Sequence, residues 1–126
     1  MPATRDFIKA LRDAIDDILP TYYEEAPSKA TSYPYAVITG IKITDLAVGD
    51  QMYFYLELWG DEKAADATIE LEEYCDAIRA ALTGAVLYAP GTFGAHIGFE
   101  AQNPIPESEF DLCHRRLAMS ARVLYN

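Results

Sequence analysis

The chain has 126 residues, 51% of them hydrophobic, and its 20 acidic and 10 basic side chains give a net charge of −10. That length predicts a single domain over residues 1–126, and the apolar share supplies a real core, which excludes a disordered chain despite the charge. An acidic field of this kind repels phosphate backbones and anionic lipid, which excludes tight nucleic-acid binding; the nearest approach to a basic cluster is Arg115-Arg116.

No apolar run approaches the ~20 residues of a membrane span. The opening Met-Pro-Ala-Thr-Arg-Asp-Phe-Ile-Lys lacks the apolar stretch of a signal peptide. The expectation is a protein made in a cytoplasm, with Cys75 and Cys113 reduced and mostly buried.

In chain order, Phe7, Ile8, Leu11, Ile15, Ile18 and Leu19 recur at spacings of one, three and four. This predicts an amphipathic helix over residues 4–19, stopped by Pro20. Residues 21–34 are polar and contain Pro27 and Pro34, which predicts a loop. Residues 35–44 are β-branched and aromatic and predict a strand, with Tyr35, Val37, Thr39, Ile41 and Ile43 alternating with their neighbours. A turn over 45–50 then leads into a second strand over 51–59.

This second strand divides into two faces: Met52, Phe54, Leu56 and Leu58 on one, and Tyr53, Tyr55, Glu57 and Trp59 on the other. The first face is core. The second is aromatic with polar handles. Gly60-Asp61 is expected to break the strand and lead into a second helix over residues 63–83, its apolar side carrying Ile69, Leu71, Tyr74, Cys75, Ile78 and Leu82, with Gly84 as its stop. A short strand over 85–87, another over 96–101, a loop over 103–109 and a long last strand over 110–125 complete the chain. In that last strand Leu117, Met119, Ala121, Val123 and Tyr125 alternate with His114, Arg116, Ala118, Ser120 and Arg122. The order helix-strand-strand-helix-strand-strand predicts an α+β fold: a mainly antiparallel sheet of four to five strands with two helices on one face.

The residues offer no constellation for chemistry, and the expectation is a protein that is not an enzyme and carries no cofactor and no metal. Cys113 and His114 are strand neighbours and point to opposite faces, so they cannot share one ion. No nucleophile elbow, phosphate-binding glycine loop or DNA-reading module occurs. The paired carboxylates, such as Glu72-Glu73, lie in polar runs that read as solvated faces. What remains is the aromatic content, 9 Tyr, 5 Phe and 1 Trp, since Tyr and Trp suit surfaces that are wet in the monomer and dry in a complex. Tyr53, Tyr55 and Trp59, with Arg116 and Arg122 on the last strand, are the candidate subunit interface.

The element order, with Pro34-Tyr35-Ala36-Val37-Ile38, Tyr55-Leu56-Glu57-Leu58-Trp59-Gly60-Asp61, Ile69-Glu70-Leu71-Glu72-Glu73-Tyr74-Cys75-Asp76-Ala77-Ile78 and Arg115-Arg116-Leu117-Ala118-Met119-Ser120-Ala121-Arg122, resembles the tail terminator (tail completion) proteins of long-tailed bacteriophages. The likeness covers nearly the whole chain except residues 88–109. It implies an α/β protomer that forms a homo-oligomeric ring, often a hexamer. Such a ring caps the tail tube, ends its growth and joins tail to head, so the implied location is the virion. The implied partners are other copies of the chain, the tail tube protein and a head-completion or connector protein. DNA would pass through without tight binding, and no membrane partner is implied. A neck or head-closure component is the alternative. A small cytoplasmic enzyme or ligand-binding domain, with His96, Cys113 and Glu57 as its first suspects, is the third reading.

Overall fold

A computed structural model describes residues 2–24, 33–45, 49–61, 66–89, 93–106 and 112–125. The elements are α1 (Pro2–Ile15), β1 (Thr21–Tyr23), β2 (Tyr35–Asp45), β3 (Asp50–Asp61), α2 (Ala67–Leu82), β4 (Val86–Ala89), β5 (Phe93–Pro104) and β6 (Leu112–Tyr125). The strands form one six-stranded sheet in the order β1-β2-β3-β6-β5-β4, with β1 parallel to β2 and the other pairs antiparallel. The α+β class and helices-on-one-face layout expected from the sequence are thus present, with one strand more than expected.

The core lies between the helices and one face of the sheet. Phe7, Leu11 and Ile15 of α1 recur every four residues and are fully buried, as are Cys75 and Ile78 of α2. They meet the inward face of the central strands: Met52, Phe54, Leu56 and Leu58 of β3, and Leu117, Met119, Ala121 and Val123 of β6. Phe7 packs edge-on against Phe54, with ring centroids 5.6 Å apart.

Several boundaries differ from expectation, each for a local reason. The first helix ends at Ile15, not at 19. Ile18 N–H turns back to Ile15 O, and Asp16 Oδ1 accepts the backbone N–H of Thr21 at 3.1 Å, so the chain closes a turn and enters β1. β1 itself lies inside the expected loop; Ala36 N–H to Pro20 O and Glu24 N–H to Ile38 O tie it to β2. The expected turn at 46–48, the predicted helix start at 63–65 and the loop residues 107–109 lie outside the described residues.

Gly60 does not break β3. The strand runs on to Asp61, and Gly60 is buried where a side-chain Cβ would lie 2.8 Å from Cys113 Sγ. Ile69 is not a core residue: it is 59% exposed, because the buried stripe of α2 runs through Ala67, Leu71, Cys75, Ile78 and Leu82. Gly84 adopts φ +77 and stops the helix as expected. β5 is longer than the predicted 96–101, with a register shift between Phe99 and Ala101 that lets the strand continue through Asn103-Pro104.

Candidate functional site

Both helices cover one face of the sheet, and among the described residues none packs over the centre of the other. Strand register lays this second, distal face out in rows. Tyr35, Trp59 and His114 form one row; Val37, Glu57, Arg116 and Asn103 the next; then Thr39, Tyr55, Ala118 and Ala101; then Lys42, Tyr53, Ser120 and Gly98; then Thr44, Gln51, Arg122 and His96. All five residues expected at an interface, Tyr53, Tyr55, Trp59, Arg116 and Arg122, therefore lie on this single face.

Glu57 organises the upper rows. Its carboxylate accepts Thr39 Oγ1–H at 2.8 Å, His114 Nε2–H at 3.0 Å, and Arg116 Nε–H and Nη2–H at 3.1 and 2.9 Å. Burial raises its pKa, but the hydrogen bonds from Thr39 and Arg116 and the neighbouring charges of Arg116 and His114 outweigh that and hold the carboxyl below its ordinary value. The His114 imidazole stacks on the Trp59 indole, centroids 3.8 Å apart and planes within 16°. Trp59 is thereby half-buried, whereas Tyr53 and Tyr55 are exposed.

Tyr55 is exposed but held from two sides. The Arg116 guanidinium sits 4.5 Å from its ring centroid, a cation–π contact. On the other side lies Gly40, in the left-handed region at φ +61, where a Cβ would come within 2.7 Å of Tyr55 Cδ2. Gly40 falls where the β2–β3 register shifts between Thr39 and Lys42, so this bulge makes room for the ring. Arg122 donates to the carbonyl of Asp50 at 3.3 Å. Beside Tyr53 and Tyr55 lies a trough of about 360 Å³, lined by Gly40, Lys42, Tyr53, Phe54, Tyr55, Glu100, Ala118 and Met119.

The helix face has its own polar ties. Glu72 of α2 accepts Gln102 Nε2–H at 2.8 Å and pairs with Arg115, and Arg79 lies over the Phe99 ring at 3.9 Å, fixing α2 to β5 and β6. Cys75 and Cys113 are both buried and not bridged. Burial first, and the charge of Glu72 second, push the Cys75 thiol up to about 12, so it is not an activated nucleophile.

The three groups first suspected for a pocket are not brought together. His96 is exposed on the distal face of β5, Glu57 is two strands away, and Cys113 is buried beside Gly60 on the helix side. Among the described residues no three His, Cys, Asp or Glu side chains converge as metal ligands. Sequence reasoning missed the roles of Gly40 and His114. A glycine in the middle of a β-branched run was the available signal for a bulge; the Trp59–His114 stack depends on register, which the sequence does not display.

No protein-family model matches the sequence, and no curated protein does. Among solved structures, a chain from the virion of a native gene transfer agent (GTA) particle is similar, with TM-score 0.66 over 90% of this chain and 84% of that one. At 19% identity the likeness is one of fold.

Proposed function

We propose that the chain is a structural component of a phage-like particle and, within it, a tail terminator: a homo-oligomeric ring that caps the tail tube, ends its growth and joins tail to head. The observation that carries this is the fold shared with a GTA virion chain along 90% of the sequence. The distal face supports it physically. An exposed aromatic surface whose tyrosine is already fixed loses little entropy on association, and so suits a protein contact. The partners in this reading are neighbouring copies, the tail tube protein and a head-completion protein. The net charge of −10 lets DNA pass the lumen without sticking.

The test combines light scattering of the purified protein with electron microscopy after addition of purified tail tubes. Rings in solution or seated on tube ends support the reading. A strict monomer that also leaves tube ends bare overturns it, and gold labelling found at the neck instead of the tube end overturns the terminator assignment.

A further inference from the structure

The two central strands of the distal face differ in height. On β3 the exposed rings of Tyr53 and Tyr55 stand up from the sheet. Their partners on β6 are Ser120 and Ala118, and the next residues on β5 are Gly98 and Ala101, all of them small. The low side has little room to grow, since a Cβ at Gly98 would come within 2.9 Å of Ser120 Oγ. Tyr55 is a fixed knob, because Gly40 and the Arg116 guanidinium hold its ring. The face therefore carries a ridge and a low shelf side by side, with the boundary between them running along the β3–β6 pair.

The charges follow the same division. Arg116 is taken up by Glu57, and Arg122 donates to the carbonyl of Asp50. Two exposed charges line the trough: Lys42 on β2, outside the ridge, and Glu100 in the β5 bulge, outside the shelf. Their strands are three spacings apart, about 14 Å. Among the described residues neither has an ion-pair partner. Lys42 shares the row of Tyr53 and Ser120, and Glu100, between the partners of Ala118 and Met119, stands within two residues of that row.

We propose that the distal faces of two copies of this chain pack on one another about a two-fold axis that runs along the strands between β3 and β6. That rotation lays β3 of each copy on β6 of the other. Each Tyr53–Tyr55 ridge enters the other copy's shelf, and each Lys42 meets the other copy's Glu100, so both ion pairs form together. The surface is complementary to itself, as an isologous contact requires, and the strands of the two sheets run nearly aligned, as in face-to-face sheet packing. The dimer does not depend on the ring reading. It uses the face that a ring would also use, so it is the form of the free chain and opens before that face meets the next subunit on a tube.

The test is sedimentation velocity of the full-length chain over a range of concentrations, without tail tubes. The wild type should show a monomer–dimer equilibrium. Lys42→Glu sets a like charge against Glu100 in both halves of the contact, and Glu100→Lys does the same against Lys42. Each should weaken dimerisation roughly tenfold or more. An equimolar mixture of the two variants should dimerise again, because every pair across the two-fold is then of opposite sign. Tyr53→Ala, which removes half of the ridge, should weaken the dimer as well. All three positions are exposed, so circular dichroism should show each variant folded. A wild type that stays monomeric at every concentration, or that forms rings with no dimer, overturns the proposal. So does a dimer that survives both reversals, or a mixture of the two variants that fails to pair. The ring reading stands or falls on the tube ends, so the two are tested apart.

Discussion

Removing the carboxylate of Glu57 tests the account of the distal face at its centre. In Glu57→Ala, Thr39, His114 and Arg116 lose a shared acceptor. A hydrogen bond to a charged group contributes about 1.5–3 kcal/mol, and such contributions do not add when one atom group is shared. The Arg116 side chain is 35% exposed and rehydrates, whereas that of His114 is 6% exposed and stays dry. The expected loss is therefore about 3 kcal/mol, close to the lower end for breaking a buried pair, or roughly 10 °C in Tm for a domain of this size. Urea denaturation followed by Trp59 fluorescence measures it, because Trp59 is the one tryptophan of the chain and stacks on His114. The pH dependence has a definite sign. The folded pKa of Glu57 lies below its ordinary 4.5, so its ionised form stabilises the fold fully above that value, and the stabilisation fades as pH falls through the lowered folded pKa. The gap between wild type and Glu57→Gln should be constant near neutrality and close in acid. A loss under about 0.5 kcal/mol for Glu57→Ala, the range of ordinary surface substitutions, would refute the reasoning.

Three further outcomes follow. Gly40→Ala should cost about 2 kcal/mol, from the left-handed backbone and from displacing the Tyr55 ring 2.7 Å away; chemical denaturation measures the loss, and ring assembly should fall with it. Gly60→Ala should cost about 1–3 kcal/mol by overpacking against Cys113, whose Sγ lies 2.8 Å from the new carbon; thermal melting measures it, and an unchanged Tm would contradict the buried position of Gly60. Neither Cys75 nor Cys113 should react with a thiol reagent at pH 8 in the folded protein, since both are buried and the Cys75 thiol is pushed up to about 12; both should react in urea, and rapid labelling without denaturant would count against the packing of α2.

The layer architecture was legible because it depends on local periodicity. The alternation from Met52 to Trp59 separated core from outer face correctly, and the same alternation in the last strand put Arg116 and Arg122 on the face opposite Leu117 and Met119, which is the distal face. Helix periodicity found the buried stripe of α2 but miscast Ile69, because the apolar arc was drawn too wide by one residue that tertiary packing leaves outside. The parallel strand Thr21–Tyr23 was invisible because its three residues carry no period and are ordered by hydrogen bonds to β2. The Glu57 cluster was illegible for a related reason: Thr39, Glu57, His114 and Arg116 converge only once two antiparallel registers and a bulge are set, and nothing local to any one strand encodes all three.

The proposed function makes the chain a repeated unit of a phage-like particle, with its distal face buried by a neighbour. The most direct measurement is a cryo-electron microscopy reconstruction of the protein assembled on purified tail tubes. The account predicts a closed ring at the tube end in which Tyr53, Tyr55 and Lys42 are covered by the next subunit. A tube end without a ring, or a ring that leaves this face bare to solvent, would contradict it.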